Sequence, residues 1–467
     1  MTLGAWTPLE WLALVEHELL LFAGVFFLIG LADELVMDAI WAWLRLTGRA
    51  RTLRINRENH RNETLAGPAA LLIPAWQEER VLATTITHAL SVWPQHALRI
   101  YVGCYRNDLA TAESILAGSR GDPRVRLVVH DRDGPTTKAD CLNRLYTAME
   151  ADERRCAMRF RMILQHDAED MVDSAALGLL DAALARADFV QLPVLPQPQA
   201  ASRWIGSHYC EEFAEAHGKS MVVRGELGVA LPAAGVGCAF SRPLLGTIAR
   251  SMPGDGPFAT ESLTEDYELG LKIKAAGGNA WFLRARGEDG RLVATRACFP
   301  PTLPQAVRQK ARWVHGIAFQ GWERLGWSGG LAERWMRLRD RRGPLAALVL
   351  FAAYLLLIVS ILLWSADLLG FGRPWEPSGL LDAVLWANLA SFVWRAGMRF
   401  AFTSREYGWA EGIRAVLRIP SANIIAIMAG RRALTAYVRS LLGARPRWEK
   451  TAHHAHAVEL IAARSAA

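Results

Sequence analysis

None of the six cysteines, Cys104, Cys141, Cys156, Cys210, Cys238 and Cys298, stands in a C-x-x-C pair. The scatter argues against a zinc ribbon and against a disulfide framework, and it fits a reducing compartment. The N-terminus also lacks the basic leader and small-residue cleavage site of a secretory signal. Glu10, Glu16 and Glu18 come early instead, and the apolar stretch runs on into Asp33, Glu34 and Asp38. An uncleaved anchor is the expectation. Only a short tail follows Arg447, so no further regulatory domain is expected there.

The chain has 467 residues, 52% of them hydrophobic, and 18 tryptophans. That is room for a catalytic domain of roughly 250 residues plus membrane-associated segments. The formal charge of +7 could point to nucleic acid, anionic lipid or polyphosphate. Its arginines cluster beside apolar runs, so membrane lipids are the expected partner and nucleic acid is not.

Residues 11–31 form a first apolar segment and 345–364 the strongest one, about as long as a roughly 30 Å hydrocarbon core requires. Residues 380–402 are expected to be a third span despite Asp382, Asn388, Arg395 and Arg399. The stretch 413–428, with Arg414, Arg418, Pro420 and Asn423, either crosses or lies in the interface. Arg45, Arg49, Arg51, Arg54, Arg57 and Arg61 follow the first segment, and Arg334, Arg337, Arg339, Arg341 and Arg342 precede the second. By the positive-inside rule both flanks of the middle region are expected to face the cytoplasm. The expected organisation is an anchor and basic linker over 1–60, a cytoplasmic catalytic domain over 61–330, and transmembrane and interfacial helices over 331–467.

Between residues 69 and 285 short apolar runs alternate with helical patterns, which predicts an α/β domain built on a mainly parallel sheet. Expected strands are 69–73, 98–104, 125–129, 161–164, 189–193 and 280–283. Thr137 and Asp140 mark a helix start, and Val81, Leu82, Ile86, Ala89 and Leu90 mark one face of another helix. Ligands of such sheets gather at the carboxyl ends of the strands.

The strand ending at Leu164 runs into Gln165-His166-Asp167-Ala168-Glu169-Asp170. Carboxylate oxygens there suit Mg²⁺ or Mn²⁺, which would neutralise charge on a nucleoside diphosphate leaving group. The same acids could instead cap a helix beginning near Val172. Ser262-Leu263-Thr264-Glu265 fits a capping box that places Asp266 in the first turn of a helix ending at Gly277-Gly278, where it could act as a general base or simply favour the helix dipole. In the helix expected from Leu303, Gln309, Arg312 and Trp313 share a face with Gly316 and Gln320. Arginine can fork a phosphate, Trp can stack a sugar and Gln can bond hydroxyls. Alternatively, Trp313, Trp322, Trp327 and Trp335 form an interfacial belt.

In this order and beside membrane segments, the set resembles processive family 2 glycosyltransferases of the cellulose-synthase type. Ile73-Pro74-Ala75-Trp76-Gln77-Glu78, Val102-Gly103-Cys104-Tyr105-Arg106-Asn107-Asp108, His166 to Asp170 and Leu263-Thr264-Glu265-Asp266-Tyr267 are similar to the bacteriophage-adsorption protein B group of inner-membrane glycosyltransferases. The resemblance implies a GT-A (Rossmann-like) domain inserted between transmembrane helices. It also implies inverting transfer from a nucleotide sugar, expected to be UDP-linked, assisted by Mg²⁺ or Mn²⁺, to a growing polysaccharide or envelope glycan. On that likeness Asp167 and Glu169 hold the metal, and Pro74, Glu78, Asp108, Lys138 and Asp167 the donor. Asp266 is the base, with Glu265, Gln309, Arg312 and Trp313 completing the catalytic set. Two departures stand out. Gly103-Cys104-Tyr105 replaces the usual nucleotide-binding aspartates, leaving Asp108 as the nearest acid, and Glu169 stands where a second aspartate is common.

The sequence is also compatible with single transfer to a lipid-linked acceptor. Another compatible role is a membrane adaptor with an inactive transferase-like domain, serving an outer-membrane export or receptor partner. Arg395-Ala396-Gly397-Met398-Arg399 has the form of some cyclic di-GMP sites but lies in an expected span and reads as span-end charge. The His453-His454-Ala455-His456 tract reads as an incidental tail feature.

Overall fold

A computed structural model describes residues 6–254, 256–372, 379–444, 456–458 and 461. Its centre is a seven-stranded sheet of β1 (Ala69–Pro74), β2 (Leu98–Tyr105), β3 (Val125–His130), β4 (Met162–Gln165), β5 (Phe189–Gln191), β6 (Cys238–Ser241) and β7 (Ala280–Phe282), in the order β3-β2-β1-β4-β6-β5-β7. All neighbours are parallel except β6, which runs antiparallel to both β4 and β5. Six strands coincide with the expected segments. The seventh, Cys-Ala-Phe-Ser, passes directly into a helix starting at Arg242, so no turn residue marks its end in the sequence.

Both sheet faces are covered. Helices α1 (Pro8–Leu46), α2 (Leu82–Val92), α3 (Leu109–Ser119) and α4 (Lys138–Arg155) precede β4 in the chain. Ile86, Ala89 and Trp93 of the α2 segment pack with Leu71, Ile73 and Val102 on one face. Leu142, Leu145 and Tyr146 of α4 pack with Leu72, Tyr101 and Ile163 on the other. The central strands β1, β2 and β4 read as apolar runs because burial on two sides leaves no solvent-facing alternation.

Behind the sheet follow α5 (Glu265–Ala275), α6 (Leu303–Val314), α7 (Leu331–Arg341), α8 (Gly343–Leu368), α9 (Gly379–Tyr407), α10 (Trp409–Leu417) and α11 (Ile419–Leu441). Among the described residues α1 and α8 are long and apolar enough to cross a membrane, and α10 with α11, bent by 52°, makes a third if it is one span. The expected span at 380–402 is a helix of 29 residues that falls short of that measure of length and composition. Its arginines are committed to acids outside the helix: Arg395 pairs with Glu34 and Glu215, and Arg399 with Glu211. Helices α1 and α8 run antiparallel, since Glu16 accepts from Ser360 at one end while Glu34 meets Arg339 and Arg342 at the other. The segments flanking the sheet domain therefore lie on one side.

Candidate active site

Strand β4 delivers the acidic loop. Its shape is set by Asp170, which is buried and accepts hydrogen bonds from the Asp167 backbone N–H and, at 2.9 Å, pairs with His166 Nδ1. Burial first pushes the Asp170 carboxyl up, and His166 opposes it. Asp170 thus positions the loop, a role not expected for it. Nor do Asp167 and Glu169 cap the following helix, which starts only at Ala176; Asp173 accepts from Ala175 N–H there instead.

Asp167 Oδ1 lies 2.6 Å from Lys138 Nζ, and Glu265 Oε1 lies 3.8 Å from the same nitrogen. Lys138 opens α4, where Thr137 Oγ1 accepts from Asp140 N–H as expected. Burial alone would make the ammonium release its proton more easily. The charges of Asp167, Glu265 and Asp266 outweigh that and hold its pKa above the usual lysine value.

Glu265 and Asp266 occupy the first two positions of α5. The expected capping box does not form; Ser262 Oγ accepts instead from Thr264 N–H at 3.2 Å, because the helix begins at Glu265. Asp266 nevertheless sits in the first turn. Gly235 makes room for it: φ is +75°, and a Cβ there would lie 2.3 Å from Asp266 Oδ2, so only glycine fits both the backbone and the approach. Burial and then Asp266 push the Glu265 carboxyl up to about 7, against the pull of Lys138 and Arg312.

The stripe on α6 faces this loop. Arg312 donates to the Leu263 carbonyl at 2.7 Å, and Gln320 Oε1 accepts from Leu263 N–H at 3.0 Å. A Cβ on Gly316 would meet Thr264 Oγ1 at 2.5 Å. Beyond Val314 the helix widens into a π-helical turn, His315–Gln320, a local irregularity frequent at functional sites. Trp313 turns elsewhere, into a cluster with Tyr209, Phe213 and Phe299, so it is not part of an interfacial belt. Gln309 Oε1 is buried without a hydrogen-bond partner among the described residues.

Pro74 ends β1 opposite Gly103 of β2. Asp108 is buried and spends both oxygens inside the chain, accepting from Gln77 N–H at 2.5 Å and from Thr111 N–H at the start of α3. Glu78 is buried beside it, its N–H donating to Thr111 Oγ1. The five expected donor residues therefore divide. Lys138 and Asp167 join the acid cluster, whereas Asp108 and Glu78 brace the loop after β1. His453 and His454 lie outside the described residues; His456 is buried, with Nε2 3.1 Å from Thr85 Oγ1, whose hydroxyl also donates to the Ala168 carbonyl.

Residues 67–316 match the family model described as glycosyltransferase like family 2, more than half of the chain. The chain belongs to that family. Its sheet is accordingly that of a GT-A-like transferase domain, accompanied by two helices long and apolar enough to cross a membrane. Bacteriophage adsorption protein B of Escherichia coli K12 and bacteriophage N4 adsorption protein B of E. coli O157:H7 are each 33% identical over 95% of this chain. The chain spans 62% of the length of each. Among solved structures it is similar to the mannosyltransferase PcManGT from Pyrobaculum calidifontis in complex with GDP-Man and Mn²⁺ (16% identity, TM-score 0.48, 85% of this chain and 98% of that one). Glucosyl-3-phosphoglycerate synthase from Mycobacterium tuberculosis, in complex with Mn²⁺, UDP and phosphoglyceric acid, has 16% identity and a TM-score of 0.34 over 57% of this chain and 81% of that one.

Proposed function

We propose that this family 2 transferase moves a hexosyl or N-acetylhexosaminyl group, with inversion, from a UDP-linked donor to a growing envelope glycan. Its domain works on the cytoplasmic face of a bacterial inner membrane, and the product is exported beside the helices. The observation that carries the reading is the convergence of Lys138, Asp167, Glu265 and Asp266, from two helix starts and a strand end, with Arg312 holding the loop before Glu265.

Asp167 and Glu169 would hold Mg²⁺ or Mn²⁺. Their chemistry fits: hard oxygen donors at a strand end, in the small number such ions use when substrate phosphates complete the coordination. The local charge fits as well: three carboxylates, Asp167, Glu265 and Asp266, act on the one Lys138 ammonium. When bound, the cation neutralises charge on the departing diphosphate.

The chain's own residues do the rest. The acceptor hydroxyl oxygen forms a bond to the anomeric carbon, its proton passes to the Asp266 carboxylate, and the bond to the diphosphate oxygen breaks with its electron pair leaving on that oxygen. Lys138 meets the new charge in a buried setting where it is weakly screened. No covalent intermediate is required, so configuration inverts.

The test is nucleoside diphosphate release by the full chain in lipid nanodiscs, over UDP- and GDP-sugars with Mg²⁺ or Mn²⁺. The expected result is metal-dependent release reduced about 10²–10⁴-fold in Asp266→Asn. No release from any donor by a folded protein would shift the reading to an adaptor, and single-sugar lipid products would replace polymer synthesis by single transfer.

A further inference from the structure

Helices α6 and α11 enclose a groove of about 950 Å³ whose walls carry Arg308, Arg312, Arg431, Arg432 and Arg439. No acid lines it. Arg308, Arg431 and Arg439 make no ion pair among the described residues, in a molecule where most arginines near the helices are paired. His315 also lines the groove. It is 4% exposed, and its Nε2 is buried without a hydrogen-bond partner among the described residues. Arg308, Arg431, Arg432 and Arg439 are exposed, so their gathered like charge presents an open positive surface that attracts anions.

The position of the groove says where that anion comes from. Helix α11 packs antiparallel on the apolar helix α8. Asn423 reaches the Tyr354 hydroxyl at 3.5 Å, and a Cβ on Gly430 would lie 2.4 Å from Ala347 Cβ. Ala347 is in the first turns of α8, just after Arg341 and Arg342, so Gly430 is level with the start of that apolar helix. Arg431, Arg432 and Arg439 come next along α11, at the depth where phosphate groups of a bilayer sit. Val307 and Met428 give the same groove an apolar wall.

We propose that this groove binds the phosphate headgroup of an anionic membrane lipid. Guanidinium forks match phosphate oxygens two at a time, and basic pockets between helices at the cytoplasmic boundary are suited to such headgroups. The bound lipid lies against Leu263 and Arg312, which also line the groove, and so touches the loop that leads into Glu265 and Asp266. Binding needs no sugar donor, so a negative transferase assay leaves it standing.

The experiment is calorimetric titration of the full chain in neutral detergent with dioctanoyl phosphatidic acid, dioctanoyl phosphatidylcholine and inorganic phosphate. Saturable binding of phosphatidic acid is expected, with none of phosphatidylcholine. Affinity should fall at least tenfold in the triple variant Arg308→Ala, Arg431→Ala, Arg439→Ala, but not in a control losing the exposed Arg144, Arg186 and Arg250. Lysine at the same three positions keeps the charge and loses the forks, and should weaken binding several-fold should the alanine variant not fold. Absence of saturable phosphatidic acid binding by the parent chain, or equal losses in triple variant and control, overturns the proposal. Inorganic phosphate binding as tightly as phosphatidic acid overturns the lipid assignment in favour of a free phosphate.

Discussion

Replacing Glu265 by glutamine removes the most strained charge of the acid cluster while keeping its shape. Glu265 is 4% exposed; burial first and Asp266 second raise its carboxyl from 4.5 to about 7, despite Lys138 and Arg312. The folded chain therefore keeps a proton on Glu265 over a pH range in which the unfolded chain has released it. The associated stability is fully present below about pH 4.5, declines as the pH rises, and is gone above about pH 7. At 1.36 kcal/mol per unit the gap is about 3 kcal/mol. For a domain of this size that corresponds to roughly 6–12 °C in Tm. Unfolding followed by intrinsic fluorescence, with 18 tryptophans as reporters, measures it in detergent at pH 5 and pH 8.5. Relative to the parent, Glu265→Gln should gain stability at pH 8.5 and little or none at pH 5. Two chains whose Tm values move in parallel with pH would refute the account of a proton held on Glu265.

Further outcomes follow from packing and pairing. Gly235→Ala places a methyl 2.3 Å from Asp266 Oδ2 on a backbone with φ of +75°; transferase turnover should fall with donor KM little changed, read by steady-state kinetics. Arg418 is fully buried between Glu211 and Glu411, so Arg418→Ala leaves Glu211 only the 3.7 Å contact with Arg399 and Glu411 only the exposed Arg414, and should cost about 3–5 kcal/mol, seen as a lowered unfolding midpoint. Arg312→Lys keeps the charge but loses a planar donor to the Leu263 carbonyl, and kcat should drop about 10–100-fold, the equivalent of about 1.5–3 kcal/mol.

Local chemistry made much of this legible in the residues. Two-sided burial writes strands β1, β2 and β4 as apolar runs, Thr137 announces α4 through a cap formed within three residues, and helical spacing puts Arg312 of α6 on one side with Gly316 and Gln320 of the turn after it, where all three meet the Ser262–Thr264 segment. The acids at 167, 169, 265 and 266 could be marked for the same reason, since strand ends and helix starts are where such a fold exposes polar groups. Other features depend on partners remote in sequence. Strand β6 exists because β4 and β5 flank it, and Asp108 became a brace because Gln77 and Thr111 arrive beside it. Trp313 joins Tyr209, Phe213 and Phe299, and Arg395 and Arg399 find their partners in Glu34, Glu215 and Glu211. Only the tertiary structure could decide whether Lys138 reaches Asp167, or whether α6 and α11 close a ring of arginines. Periodicity and capping act over a few residues, whereas charge pairing and cavity formation are set by distances between segments that only folding brings together.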